Sequence, residues 1–240
     1  MDVLSIVGFA SFVGVSLWVG ARLLLLARGT RQLPELAIGA ALFCGGAGFG
    51  GSIAVFRMHV LPDTALLPAF AAIMAALELG VVALTLGVWN LFRPGARWAR
   101  AAFAATVAAL AVNYAASLAG FRPDGQRSAF VFWSFNVVGA AAYLWSAFEC
   151  FRYHALMRRR ERLGLVDREL VHRFLLWAIA GSAGASVFLA GMLARLLATG
   201  PSHAAILAQS LCGLVAGASI WLAFFPPQVY VRRVVGEQAG

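Results

Sequence analysis

The sequence predicts an all-α polytopic membrane protein, a single bundle of seven transmembrane helices with the N-terminus outside and the C-terminus cytoplasmic. Three observations carry that reading. Apolar stretches run over 3–27, 35–56, 64–92, 100–121, 129–151, 174–199 and 204–225 of the 240 residues. Each reaches the roughly 20 residues a helix needs to cross the hydrocarbon core, where only a helix satisfies its backbone without neighbours. The composition is 62% hydrophobic with mean hydropathy +0.83, more than a soluble fold of 25.4 kDa could bury. Finally, the 19 basic side chains are all arginine and collect at alternate connections.

The first span follows Asp2, where a secretory signal would carry positive charge, and it is too long for a signal's apolar region. A cleavable signal is therefore not expected. Pro34 and Glu35 open the second span: proline needs no donor in a first turn, and the carboxylate meets the positive dipole end. Inside it lies Cys44–Ser52, with the sequence CGGAGFGGS. So many small residues imply either a very close neighbour or a local break, and close packing is the simpler account.

The third span places Glu78 at its midpoint. Ala71, Ala75, Glu78, Thr85 and Trp89 share one helical stripe, which should face the bundle interior. Small and polar residues recur on the later spans: Thr106, Asn113 and Ser117; Trp133, Asn136, Gly139, Tyr143, Ser146 and Cys150; Ser182 and Ser186; Gln209, Cys212, Ala216 and Ser219. Gly213 and Gly217 form a small-xxx-small pair on the last span. Pro226 and Pro227 end it by removing two backbone donors.

The one long connection is 152–173, RYHALMRRRERLGLVDRELVHR. Gly164 suits a helix C-cap and Asp167 an N-cap, so the flanking helices should each project by about ten residues, roughly 15 Å. Arg158, Arg159, Arg160 and Arg162 make this hairpin strongly basic. It fits lipid headgroups, or a docking site for a cytoplasmic protein.

Fifteen arginines fall at the hairpin's end of the bundle (22, 28, 31, 93, 97, 100, 152, 158, 159, 160, 162, 168, 173, 232 and 233), and four at the other (57, 122, 127 and 195). The positive-inside rule then makes the arginine-rich end cytoplasmic. Six of seven tryptophans lean towards it. The net charge of +9 accordingly belongs beside anionic lipid rather than nucleic acid.

Given this topology, Glu78, Asn113, Trp133, Asn136, Tyr143 and Gln209 are the candidate ligand-binding residues, with Asn113, Asn136 and Gln209 in the outer half. They would form a polar funnel floored by Glu78. The simpler alternative is that Glu78 is hydrogen-bonded glue between helices, for example with Asn113 or Asn136. Glu149, one turn from Arg152, reads as an interfacial ion pair. Arg57, Arg122, Arg127, Arg195, His59 and His203 are scattered outer charge or a positive outer rim.

Several chemistries lack their residues. Without lysine there is no retinal Schiff base. His59, His154, His172 and His203 lie at helix ends or loops, away from any intramembrane metal or haem site. Cys44, Cys150 and Cys212 sit inside spans and read as small core residues. No cofactor, catalytic group or nucleotide loop is expected.

The segments Arg31-Gln32-Leu33-Pro34-Glu35-Leu36, Leu163-Gly164-Leu165 and FFPP at 224–227 resemble elements of uncharacterised seven-helix bacterial membrane proteins. That resemblance, loose and over the whole chain, implies a bacterial inner-membrane location and the seven-helix plan, and no activity. The expectation is a single domain over 1–240, a sensor or receptor-like module. It would bind a small ligand from outside and signal to a cytoplasmic protein. Small-solute or proton transport through Glu78, or a subunit role in a membrane complex, are the alternatives.

Overall fold

The computed structural model describes residues 3–56, 58, 60–123, 127–197 and 203–230. Among them all regular structure is helical, in the order α1 (Val3–Thr30), α2 (Leu33–Phe56), α3 (Asp63–Phe92), α4 (Arg97–Ala119), α5 (Ala129–Glu161), α6 (Arg168–Leu196) and α7 (His203–Phe224). All seven are long and apolar enough to cross a membrane, and the chain is a multi-pass membrane protein. Arg57, His59, Arg232, Arg233 and the side chain of His203 lie outside the described residues.

Six helices close a ring. α1 packs on α2 and α7, α2 on α3, α3 on α5, α5 on α6, and α6 on α7. α4 touches only α3 and α5 and so lies outside the ring, in the groove between them. Large apolar side chains such as Trp18, Leu25, Leu79, Val112, Leu144 and Phe148 remain exposed on the outer surface, as a lipid-facing surface requires.

The glycine run of α2 stays helical throughout, which decides between close packing and a break. A Cβ at Gly46 would lie 3.0 Å from the Ser16 Cβ, and one at Gly50 would lie 2.9 Å from Val13. Those two glycines seat α1. On the adjoining face a Cβ at Gly48 would lie 2.7 Å from Leu77 of α3, and one at Gly51 would lie 3.1 Å from Ile73. Missing side chains thus let one helix approach two neighbours at once.

The helical projection between α5 and α6 forms as its caps foretell. Gly164 has φ +70°, the left-handed conformation that glycine adopts without strain. The Leu165 N–H donates to Arg160 O (3.1 Å) and the Gly164 N–H to Glu161 O (2.9 Å), the bond pair of a Schellman turn. Asp167 is the N-cap of α6 but makes no side-chain capping bond. His154 Nδ1 lies 2.9 Å from Val171 O, tying the two helical extensions together. At the base, Tyr153 packs on Phe92 (4.7 Å) and Phe174 (5.7 Å).

Candidate functional site

Glu78 is buried, at 6% exposure. Its Oε1 has no hydrogen-bond partner among the described residues. One turn along, Val81 packs with Leu110, Phe135 and Ala142, so this face of α3 looks towards α4 and α5 and away from lipid. Arg127, just ahead of α5, lays its guanidinium over the Phe135 ring at 5.6 Å. Burial pulls the Arg127 pKa down and the Glu78 carboxylate pulls it back up. On the same stripe Thr85 is buried and Trp89 stacks on Phe103 of α4 at 5.3 Å.

The other candidate residues fall into separate places. Asn113 is a bracket between α4 and α5: its Nδ2 donates to Val131 O (2.9 Å) and to Ser134 Oγ, and its Oδ1 accepts from Ser117 Oγ at 3.4 Å. Trp133 sets its ring edge-on to Phe132 (5.5 Å), over which the Arg195 guanidinium lies at 4.5 Å. Asn136 and Gln209 meet at α6. Asn136 donates to Phe132 O (2.8 Å) and Gln209 to Val187 O (3.3 Å). Both lie within 4 Å of where a Cβ would stand on Gly191. Only Tyr143, of the six, faces the central space.

That space is a lumen of about 100 Å³, lined by all six ring helices and by none of α4. It occupies the half of the bundle nearer the arginine-rich end, as Ile38 of α2, Phe92 of α3, Trp177 of α6 and Phe224 of α7 show. Its lining residues are apolar apart from Ser16, Tyr143, Ser146 and Trp177. Ser16 is the unusual one. Several helical hydroxyls in this protein bond back to a carbonyl one turn earlier, as Thr106 does to Ala102 O (3.0 Å), Ser182 to Ala178 O (2.9 Å) and Ser210 to Ile206 O (2.7 Å). The Ser16 hydroxyl is fully buried and has no partner among the described residues. A buried polar group left so in a native fold calls for a reason.

Comparison with family models, with curated proteins and with solved structures finds no match to this chain. What the lumen can do must therefore come from its own chemistry.

Below the lumen a second cavity of about 250 Å³ opens at the arginine-rich end, lined by Leu91, Leu170, Arg173, Phe174, Trp177, Ala223 and Phe224. Leu91, Trp177 and Phe224 line both spaces, and Trp177 packs on Phe224 at 5.7 Å. That aromatic pair is a wall the two spaces share. Phe92 lines the lumen and touches Tyr153 of the helical projection, so the lumen lies one side chain from the hairpin. At the hairpin tip Arg158, Arg159, Arg160 and Arg162 are all exposed.

Sequence reasoning missed Ser16, Gly45 and the wall of Trp177 and Phe224. In the sequence Ser16 is one of several serines in an apolar run, and only its unmade hydrogen bond sets it apart. Among the described residues no group of three histidine, cysteine or acidic side chains could hold a metal.

Proposed function

We propose that this chain is a seven-helix membrane sensor that holds a small, mostly apolar ligand in its lumen. The occupied state would be read at the basic hairpin by a separate cytoplasmic protein. The observation that carries this reading is the apolar lumen enclosed by all six ring helices. Apolar walls with a few placed polar groups are the usual make-up of a small-molecule site. Support for signalling is the aromatic step Phe92–Tyr153 from lumen to hairpin, a contiguous packed route of the kind that couples sites. In this reading the ligand sits in the arginine-rich half, and the positive-inside rule makes that half cytoplasmic.

Gly45 provides the test. It lines the lumen, and a Cβ there meets nothing within 4 Å. Gly45→Leu should fill the lumen without moving a helix. With xenon as a small apolar probe followed by its NMR shift, binding should fall at least tenfold while the melting temperature stays within a few degrees of the parent. Unchanged probe binding in a folded Gly45→Leu protein would remove the lumen as a ligand site. Neutralising Arg158, Arg159 and Arg160 should leave probe binding intact and abolish capture of the partner.

A second reading rests on Glu78, because intramembrane carboxylates commonly mark ion or proton paths and its Oε1 is unpartnered. Here Glu78→Gln should abolish proton flux in proteoliposomes. No flux in the parent protein would dispose of transport.

A further inference from the structure

The lumen and the cavity beneath it differ in one respect that bears on the ligand. The lumen wall carries no charged side chain, whereas the lower cavity has Arg173 on its wall. The two adjoin at the shared Trp177–Phe224 wall, which sets a charged rim next to an apolar interior. We propose that together they bind one single-chain anionic amphiphile, its tail in the lumen and its carboxylate or phosphate head at Arg173. This rests on the lumen being a ligand site, as argued above.

Size favours a single chain. An apolar protein cavity of about 150 Å³ takes up benzene, and the lumen holds about 100 Å³. One slim hydrocarbon segment fits there; two acyl chains of a bilayer lipid do not. The apolar walls also offer a charged head no compensation, so the head must stay outside.

Arg173 can serve that head. Its guanidinium is paired with Glu169 one turn back on α6 (2.7 Å), with both side chains over two-fifths exposed. Exposed pairs of this kind hold weakly. A ligand anion at the lower cavity can therefore take over donors that Glu169 now uses, and a guanidinium's fork matches both carboxylate and phosphate.

The experiment uses the full chain in phosphatidylcholine nanodiscs, since detergents are themselves amphiphiles. A dodecanoate carrying a diazirine at its tail end is photocrosslinked and the labelled peptides are mapped. Unlabelled dodecanoate, dodecyl phosphate, dodecanol and dodecyltrimethylammonium compete against it. Labelling should fall on peptides containing Ser16 and Gly45. Both anions should compete at least fivefold better than dodecanol, and the cation should not compete. That preference should vanish in Arg173→Gln, while dodecanol competes as before.

If dodecanol matches the anions and Arg173→Gln changes nothing, the amphiphile assignment is wrong, although the lumen remains a site for neutral ligands. If Gly45→Leu leaves the labelling pattern untouched, the lumen reading itself fails. Carboxylate against phosphate then separates the two head chemistries, and a clear preference for either supports the proposal.

Discussion

Arg93→Met is expected to destabilise the folded protein by about 3 kcal/mol, among the largest effects of any single change outside the glycine contacts. Glu149 is 1% exposed, and its carboxylate accepts from Arg93 Nε at 2.6 Å and Arg152 at 3.3 Å. Arg93 caps the end of α3 and Glu149 lies on α5, so this pair pins two ring helices at the arginine-rich end. Arg93 also lies over the Trp98 ring at 5.7 Å. Removing one partner of a buried pair leaves an uncompensated charge and costs about 3–5 kcal/mol; Arg152 keeps one oxygen satisfied, which sets the lower figure.

The sign of a double variant makes this decisive. Arg93→Met with Glu149→Met removes both charges and puts apolar volume in their place, so it should be more stable than Arg93→Met alone. Equilibrium unfolding in mixed micelles measures all three. If Arg93→Met unfolds like the parent, or if the double variant is the least stable, the pair is not what holds α3 to α5 here.

Glu149 also shows what a sequence can and cannot carry. Its pairing with Arg152 is local, three residues along one helix, and periodicity reveals it. Arg93 lies 56 residues away, on a helix whose rotation no single sequence fixes. The same division runs through the whole molecule. Helix spans follow from hydropathy and length, and the helical projection from Gly164 and Asp167, because those signals are local. Asn113 was legible as an inward polar residue, but its use as a bracket to Val131 O depends on where α5 lies. The ring with α4 outside it, and the lumen that results, arise from which small faces meet. Ser16 stands out only once its neighbours are known, since a helical serine that bonds its own backbone looks the same in sequence.

Gly20→Val should be at least as damaging, because there backbone meets backbone. A Cβ at Gly20 would lie 2.6 Å from Phe43 N and 2.9 Å from Gly39 O, and one at Gly39 would lie 3.0 Å from Leu24 N. Side chains can rotate out of a clash, but here α1 and α2 would have to separate. Overpacking costs about 1–3 kcal/mol even where side chains can yield, so a loss of about 3 kcal/mol or more is expected. Gly14 is the control: it is on the same helix, a Cβ there meets nothing within 4 Å, and Gly14→Ala should be neutral or stabilise by up to about 1 kcal/mol. Thermal unfolding should rank Gly14→Ala at or above the parent, then Gly20→Ala, then Gly20→Val. Gly20→Ala keeps the comparison readable should the valine variant fail to assemble. The consequence reaches the lumen, since Ser16 on α1 and Gly45 on α2 face it from the two sides of this contact. A helix pair held apart at Gly20 widens the lumen and loosens its fit to a small atom, so Gly20→Ala should weaken xenon binding along with stability. Gly45→Leu, which fills the same space, should abolish binding and leave stability alone. Two variants that lose the probe, one with a loss of stability and one without, would tie the close α1–α2 approach to the shape of the site; if Gly20→Ala binds the probe like the parent, helix spacing does not shape the lumen.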